Sequence, residues 1–302
     1  MNLGALVDSS FLALPLAERQ ALVREAIDAG VTHFATADHV SFHTGLGFDG
    51  LIFASFIAAL DDRAHVVVGV YLLALRHPVL VARQLASFAE VAPGRLTLGV
   101  GIGGEDPHEF EVCGVNPKVR ARRTDEMLKA LSLLMTGESV SYKCEDFEFH
   151  EARIRPAPSP RVPIVIGGRS EAALRRAGRF SDGWLGIWTR PDQFRGKVRA
   201  VEDCAREAGR ASVDWRHGYQ PWVCVDENES RARQRLAQRM QSVYRMPFER
   251  FEAYAPFGGA ERVADALRAY AEQGCAYLNV MNVADSPAKS LKGIMRLCEK
   301  MA

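Results

Sequence analysis

The sequence carries almost no surplus of either charge. Thirty-eight basic residues face 37 acidic ones, the net charge is +1, and no basic cluster is interleaved with aromatics. The electrostatic footprint of a nucleic-acid binder is therefore missing. Lysine is scarce, and the seven present, Lys118, Lys129, Lys143, Lys197, Lys289, Lys292 and Lys300, all lie outside the candidate strands and their C-terminal ends. A Schiff-base barrel enzyme needs one there, which excludes that class. Six cysteines, Cys113, Cys144, Cys204, Cys224, Cys275 and Cys298, are scattered without a CxxC. This argues against a zinc knuckle, an iron–sulfur site or a disulfide framework. The longest apolar run, 66–75, is far short of the ~20 residues of a membrane span. The N-terminal stretch has no basic n-region and is broken by Asp8, so it does not read as a signal peptide. A cytoplasmic protein is the expectation. No GxSxG occurs, so an esterase elbow is absent.

What is present centres on residues 162–188, VPIVIGGRSEAALRRAGRFSDGWLGIW. Ile164, Val165 and Ile166 form a short β-branched run of the kind buried on both faces. Gly167 and Gly168 end it, Ser170 is placed to cap a helix carrying Ala173, Leu174 and Ala177 at helical spacing, and a second apolar strand follows at 183–188. Strand, glycine turn, helix and strand make a βαβ unit. Its turn sets bare amides beside a helix N-terminus, where an anion is favoured. Arg169 and Ser170 add side-chain donors aimed at the same place. Two glycines also serve any tight βα connection, and the turn is neither a Walker loop nor GxGxxG. A phosphate site is one reading and plain turn geometry the other.

Taken along the chain, the same rhythm recurs. Strand patterns fall at 2–7, 31–37, 66–73, 96–101, 164–166, 183–188, 219–225 and 277–283, with helical patterns between them. A polar, alternating patch at about 138–155 predicts a small hairpin outside the main sheet, and 228–257 predicts a helical insertion before the eighth strand. The whole chain, 1–302, reads as one α/β domain. Eight buried strands alternating with helices predict a (β/α)8 barrel, with a doubly wound sheet as the other arrangement.

In a barrel the chemistry sits where strands end and βα loops begin. That rule collects Asp38 and His39, Gly101 through Glu105, Gly167, Gly168, Arg169 and Ser170, Trp188, Tyr219 and Trp222 at one mouth. An imidazole there can move a proton near neutral pH. His39 and His43, four apart, would share a face for a metal if they lay on a helix, but a glycine loop follows them and no other histidine cluster appears. No metal site is expected. A barrel with an anion site, a proton-transfer histidine and few other nucleophiles suits an enzyme whose cofactor does the hard chemistry. A phosphate-binding isomerase or a metal-dependent hydrolase stays as the alternative.

Four stretches together, ADH after the second strand, VVVGVYLLALRHP across the third, GRLTLGVGIGGEDPHEFEVCG at the fourth and VPIVIGGRSEAALRRAGRFSDGW at the fifth, resemble the luciferase-like oxidoreductases, most closely the coenzyme F420-dependent branch. The resemblance covers nearly the whole chain. It implies a TIM barrel that binds F420, or FMN as the alternative, at its C-terminal mouth, with an organic substrate beside it. It places a non-prolyl cis peptide at Tyr71-Leu72 against the cofactor's central ring, and the phosphate on Gly167, Gly168, Arg169 and Ser170. It gives His39 the proton accompanying hydride transfer, with Asp38 beside it, and makes Glu105 resemble an acidic proton donor, shifted by the extra Gly104. It further implies a homodimer and, as supplier, a flavin or F420 reductase. The arginine that luciferases proper carry after the fourth strand is missing from 98–104.

Overall fold

Eight short runs of β-branched, small and apolar residues pair in parallel and close on themselves. The computed structural model describes residues 1–43 and 45–302. The strands are β1 (Asn2–Leu6), β2 (His33–Thr36), β3 (His39–Phe42), β4 (Leu46–Phe48), β5 (Val66–Leu72), β6 (Leu96–Gly101), β7 (Val140–Lys143) and β8 (Glu148–Ala152). They continue with β9 (Ile164–Gly167), β10 (Gly183–Gly186), β11 (Gly218–Tyr219), β12 (Trp222–Val225), β13 (Phe257–Gly258) and β14 (Tyr277–Asn282). The barrel order is β1-β2-β5-β6-β9-β10-β11-β14, and β14 pairs back onto β1 with Asn2 opposite Tyr277. This is the expected (β/α)8 TIM barrel.

Helices α1 (Leu16–Asp28), α2 (Gly50–Ala58), α3 (Pro78–Val91), α4 (Pro107–Val112), α5 (Arg120–Leu134), α6 (Glu171–Phe180), α7 (Pro191–Glu207), α8 (Glu229–Tyr244), α9 (Ala260–Ala271) and α10 (Pro287–Met301) follow the strands or insert between them. Each main helix buries one stripe. In α3, Val81, Ala82, Leu85, Ala86, Phe88 and Ala89 recur at three- and four-residue spacing and are buried, while Leu80 and Val91 face outward. Truncating a fully buried member such as Leu85 to alanine would cost about 2–5 kcal/mol. Among the described residues, no helix is long and apolar enough to cross a membrane.

The barrel interior holds a separate cluster of Ala35, Val67, Val165, Leu185 and Tyr277, with Leu6 and Val70 partly covered above it. Large and small residues interlock here: a Cβ on Gly4 would lie 2.1 Å from His33 Nε2, and one on Gly218 2.3 Å from Tyr277 Cζ.

The structure departs from the sequence reading in particular places. The seventh strand is two pieces on either side of Gln220 and Pro221: Gln220 N–H still donates to the Gly186 carbonyl (2.9 Å), but Pro221 has no N–H to give. The sixth ends at Gly186, and Trp188 already has φ +49°. His39–Phe42 and Leu46–Phe48, read as loop, pair as the antiparallel strands β3 and β4, and α4 follows β6 where no helix was expected. The hairpin expected at 138–155 is β7-β8, and α8 fills most of the expected insertion.

Candidate active site

The first construction at the mouth begins just past β2. The Asp38 carboxylate accepts from the backbone N–H of Gly50 (2.9 Å) and Leu72 (2.8 Å) and from both Arg76 Nη atoms (2.6 and 2.7 Å). Burial pushes the Asp38 carboxyl up, while the Arg76 charge and the two amides pull it back. Four donors fix this group as a joint between β2, α2 and the end of β5. Its lone pairs face Arg76 and the backbone, and the partner hydrogen-bonded to the His39 ring is Glu109, not the Asp38 that the resemblance set beside it. Arg76 also reaches Asp49 (3.1 Å) and lies 4.1 Å over the Tyr71 ring.

His39 opens β3, and its Nδ1 lies 3.2 Å from Glu109 Oε2. The histidine side chain is 31% exposed and that of Glu109 is 3% exposed. The other Glu109 oxygen accepts from Val40 N–H (2.6 Å) and Ser41 N–H (3.3 Å). Burial would raise the Glu109 carboxyl, but His39 and these amides hold it below its usual range. Glu109 stands on α4, whose N-cap Asp106 accepts from His108 N–H (3.1 Å) and from His43 N–H (2.7 Å). One short helix thus braces the hairpin through two carboxylates three residues apart. Phe42 lies between the rings of His39 and His43, at 4.2 and 3.9 Å.

Sequence reasoning missed Glu109. Its signal was present, since Asp106-Pro107 is the cap-then-proline opening of a helix and sets Glu109 in the first turn. Glu105, chosen instead, is exposed and makes no hydrogen bond to His39.

The floor of the mouth is built by β5. Against β6, Val68 pairs with Leu98 and Tyr71 with Val100, so β5 carries one extra residue and bulges. The non-prolyl cis peptide joins Gly69 and Val70, not Tyr71 and Leu72. Because of the bulge, Tyr71 turns out into the helix–sheet core, fully buried under Arg76, and Leu72 is buried with its N–H on Asp38. Val70 is the side chain that meets the interior. A Cβ on Gly101 or Gly167 would lie 2.3 or 2.7 Å from Val70 methyls, so only glycine fits beside it.

Past β9, Gly168 has φ +122° and its carbonyl accepts from Trp184 Nε1 (2.5 Å). Ser170 caps α6 by accepting from Ala173 N–H (3.2 Å), and Arg169 and Ser170 are exposed beside the open first-turn amides. Lys197 Nζ donates to the Arg169 carbonyl (3.1 Å), adding a cation the sequence reading did not place there. A further cation is Arg120 at the start of α5. Its Nε is buried without a partner among the described residues, and its guanidinium backs Gly104.

The opposite lip is aromatic. Trp188 packs on Tyr244 and Phe251 (ring centroids 5.2 and 4.6 Å), and Trp222 Nε1 donates to the Tyr244 hydroxyl (3.0 Å). Burial pushes the Tyr244 phenol up to about 12, and the Glu105 charge adds to that shift. Trp184 and Tyr219 are core residues: Trp184 packs on Phe194, and Tyr219 stacks on Tyr270 at 4.1 Å. Among the described residues, no three His, Cys, Asp or Glu side chains are grouped to hold a metal.

Comparison with known proteins adds the family. The luciferase-like monooxygenase family matches residues 4–277. The F420-dependent glucose-6-phosphate dehydrogenase of Kineococcus radiotolerans is 30% identical over 156 residues, 51% of this chain and 45% of that protein. The chain spans about half the length of the curated relatives it matches. An F420-dependent secondary alcohol dehydrogenase, solved with an F420–acetone adduct, superposes with TM-score 0.83 at 18% identity, over 100% of this chain and 99% of that one. The FMN-bound oxygenating constituent of 3,6-diketocamphane monooxygenase from Pseudomonas putida superposes with TM-score 0.78 at 16% identity, over 100% and 98%. With the barrel, the mouth and the family match in agreement, the chain belongs to the luciferase-like monooxygenase family of oxidoreductases.

Proposed function

We propose that this protein transfers a hydride between coenzyme F420 and an organic substrate at the C-terminal mouth of the barrel. The observation that carries this reading is His39, open to the mouth on one side and held by buried Glu109 on the other. With Nδ1 directed at the carboxylate, Nε2 is the atom presented to a substrate, and Glu109 stabilises the cation formed when Nε2 takes a proton. F420, when bound, accepts or returns the hydride. As the C–H hydride of an alcohol leaves, its O–H proton passes to His39 Nε2 and a carbonyl forms. The reverse step returns that proton to the oxygen.

The residues present fit such a cofactor. Gly168, Arg169, Ser170, the α6 amides and Lys197 would hold its phosphate. Arg120, with its unpartnered Nε, supplies a further cation near the β6 loop. Val70, kept open by Gly101 and Gly167, would support the ring. Asp38 fixes the strand ends that carry these groups, and Glu105 with Tyr244 lines the outer rim.

A monooxygenase using reduced FMN and oxygen is the second reading, favoured by the FMN-bound neighbour. It uses the same floor and phosphate loop and would require a reductase as supplier. Family membership sets the isomerase and hydrolase readings aside. Parallel fluorescence titrations of the cofactor-free protein with F420 and FMN decide between the two. Tight binding of F420 alone supports hydride transfer without oxygen, whereas preference for FMN overturns it in favour of the monooxygenase.

A further inference from the structure

A chain of polar side chains threads the barrel interior from foot to mouth. Thr32 Oγ1 lies 2.9 Å from His33 Nδ1, and His33 Nε2 lies 2.8 Å from Asn279 Oδ1. Asn279 Nδ2 donates to Gln220 Oε1 (3.1 Å), and Gln220 Nε2 donates to the Gly69 carbonyl (3.2 Å). Each amide oxygen faces the link below it and each amide nitrogen donates to the link above. Buried polar groups are costly unless satisfied, so a complete chain specifies one arrangement of the strands that carry it.

Gln220 is the uppermost link and is only partly buried. It sits where the seventh strand breaks between β11 and β12, its N–H bonded to the Gly186 carbonyl (2.9 Å). Its amide occupies the space a side chain at position 69 would need: a Cβ on Gly69 would lie 2.5 Å from Gln220 Oε1. The bonded carbonyl belongs to the residue preceding Val70, inside the bulge of β5. We propose that Gln220, oriented by Asn279 and His33, is a positioning residue that holds the Gly69 carbonyl and so sets Val70 at the height and angle the cofactor ring rests on. This rests on the cofactor reading above.

Two variants test it by titration with F420 and FMN. Gln220→Leu removes the donor and weakens binding of the preferred cofactor by about tenfold, as leaving a buried carbonyl unpaired does. Gln220→Glu keeps shape and the acceptor facing Asn279, but at pH 8 it sets a carboxylate against the Gly69 carbonyl. Binding is then weak at pH 8 and recovers toward wild type, measured at each pH, as the introduced carboxyl protonates and donates. That recovery, with return of the bound cofactor's absorption maximum, is a readout general destabilisation does not produce. Wild-type affinity in both variants at every pH overturns the proposal and leaves the cofactor reading standing. So does a loss in Gln220→Glu that is independent of pH. Failure of the wild type to bind either cofactor overturns the reading itself, and this proposal with it.

Discussion

Histidine stands at both ends of this barrel, and the two ends treat it oppositely. At the mouth, His39 is partly open and faces a buried carboxylate, Glu109. At the foot, His217 is 3% exposed, its Nδ1 accepts from the Trp184 N–H (3.1 Å), and burial lowers its pKa to about 4. His33 is lowered likewise to about 4, chiefly by burial, with an amide oxygen as partner. The foot histidines stay neutral at physiological pH and behave as shaped hydrogen-bonding core residues. His217 Nε2 also has a carboxylate, Glu202, at 3.7 Å, but no hydrogen bond joins them, so access to solvent and a hydrogen-bonded carboxylate, not residue type, decide which histidine can carry a proton.

The largest expected effect breaks the comparison at its centre. His39→Ala lowers kcat by about 10²- to 10⁴-fold, the range for loss of a general acid–base group, with cofactor affinity nearly intact. Steady-state kinetics beside a cofactor titration checks both halves. Unchanged turnover would remove His39 from the mechanism. Next is Glu109→Gln, which keeps the shape and the acceptor for the Val40 N–H but removes the charge beside the imidazolium formed in turnover. A fall in kcat of about 10- to 100-fold with KM little changed is expected, as for a carboxylate that orients a functional imidazole. Equal falls in stability and activity would mean that Glu109 only braces the hairpin.

The eight strands were legible in the sequence because they are short apolar runs punctuated by glycine, as burial on both faces requires; that pattern fits a doubly wound sheet as well, and the closure of β14 onto β1 is what the structure adds. The strand–glycine–cap turn, to which we assign the phosphate only as a proposal, was legible for a local reason: strand, glycines and cap lie within seven residues, 164–170. The His39–Glu109 pair was not, because its members are 70 residues apart and meet only through a hairpin and a one-turn helix too short for periodicity to reveal. Val70 was missed for a different reason. The resemblance set the support at Tyr71-Leu72, but β5 bulges between Val68 and Tyr71, and the extra residue sends Tyr71 to the opposite face.

The foot has its own test, smaller and read in stability. Unfolded His217 titrates near 6.5, whereas the folded residue is held at about 4. Between those values the unfolded chain binds more protons, so stability rises with pH and is lost as pH falls from 6.5 toward 4. His33 adds to the same window. For one such histidine the loss at pH 5 is about 2 kcal/mol. His217→Gln retains an acceptor for the Trp184 N–H and cannot be protonated, so it flattens the pH dependence of urea midpoints below pH 6.5. An unchanged slope would show that His217 is protonated in the folded protein.

The smallest effect separates binding from folding at the mouth itself, using two serines with the same structural duty. Ser170 caps α6 by accepting from Ala173 N–H, and Ser286 caps α10 by accepting from Lys289 N–H, both at 3.2 Å. Replacing either with alanine leaves one first-turn amide without its side-chain acceptor and costs about 1 kcal/mol. In a chain of this size that corresponds to a fall of about 2 °C in Tm. The two variants should therefore match in thermal melting. They should differ in cofactor titration, because the Ser170 hydroxyl stands beside Arg169 and the open α6 amides. A cofactor phosphate bound there loses one neutral donor in Ser170→Ala, a weakening of about three- to tenfold, while Ser286→Ala binds as wild type. If both serines change stability and neither changes affinity, the α6 turn is a helix cap only, and the phosphate must be sought nearer Arg120.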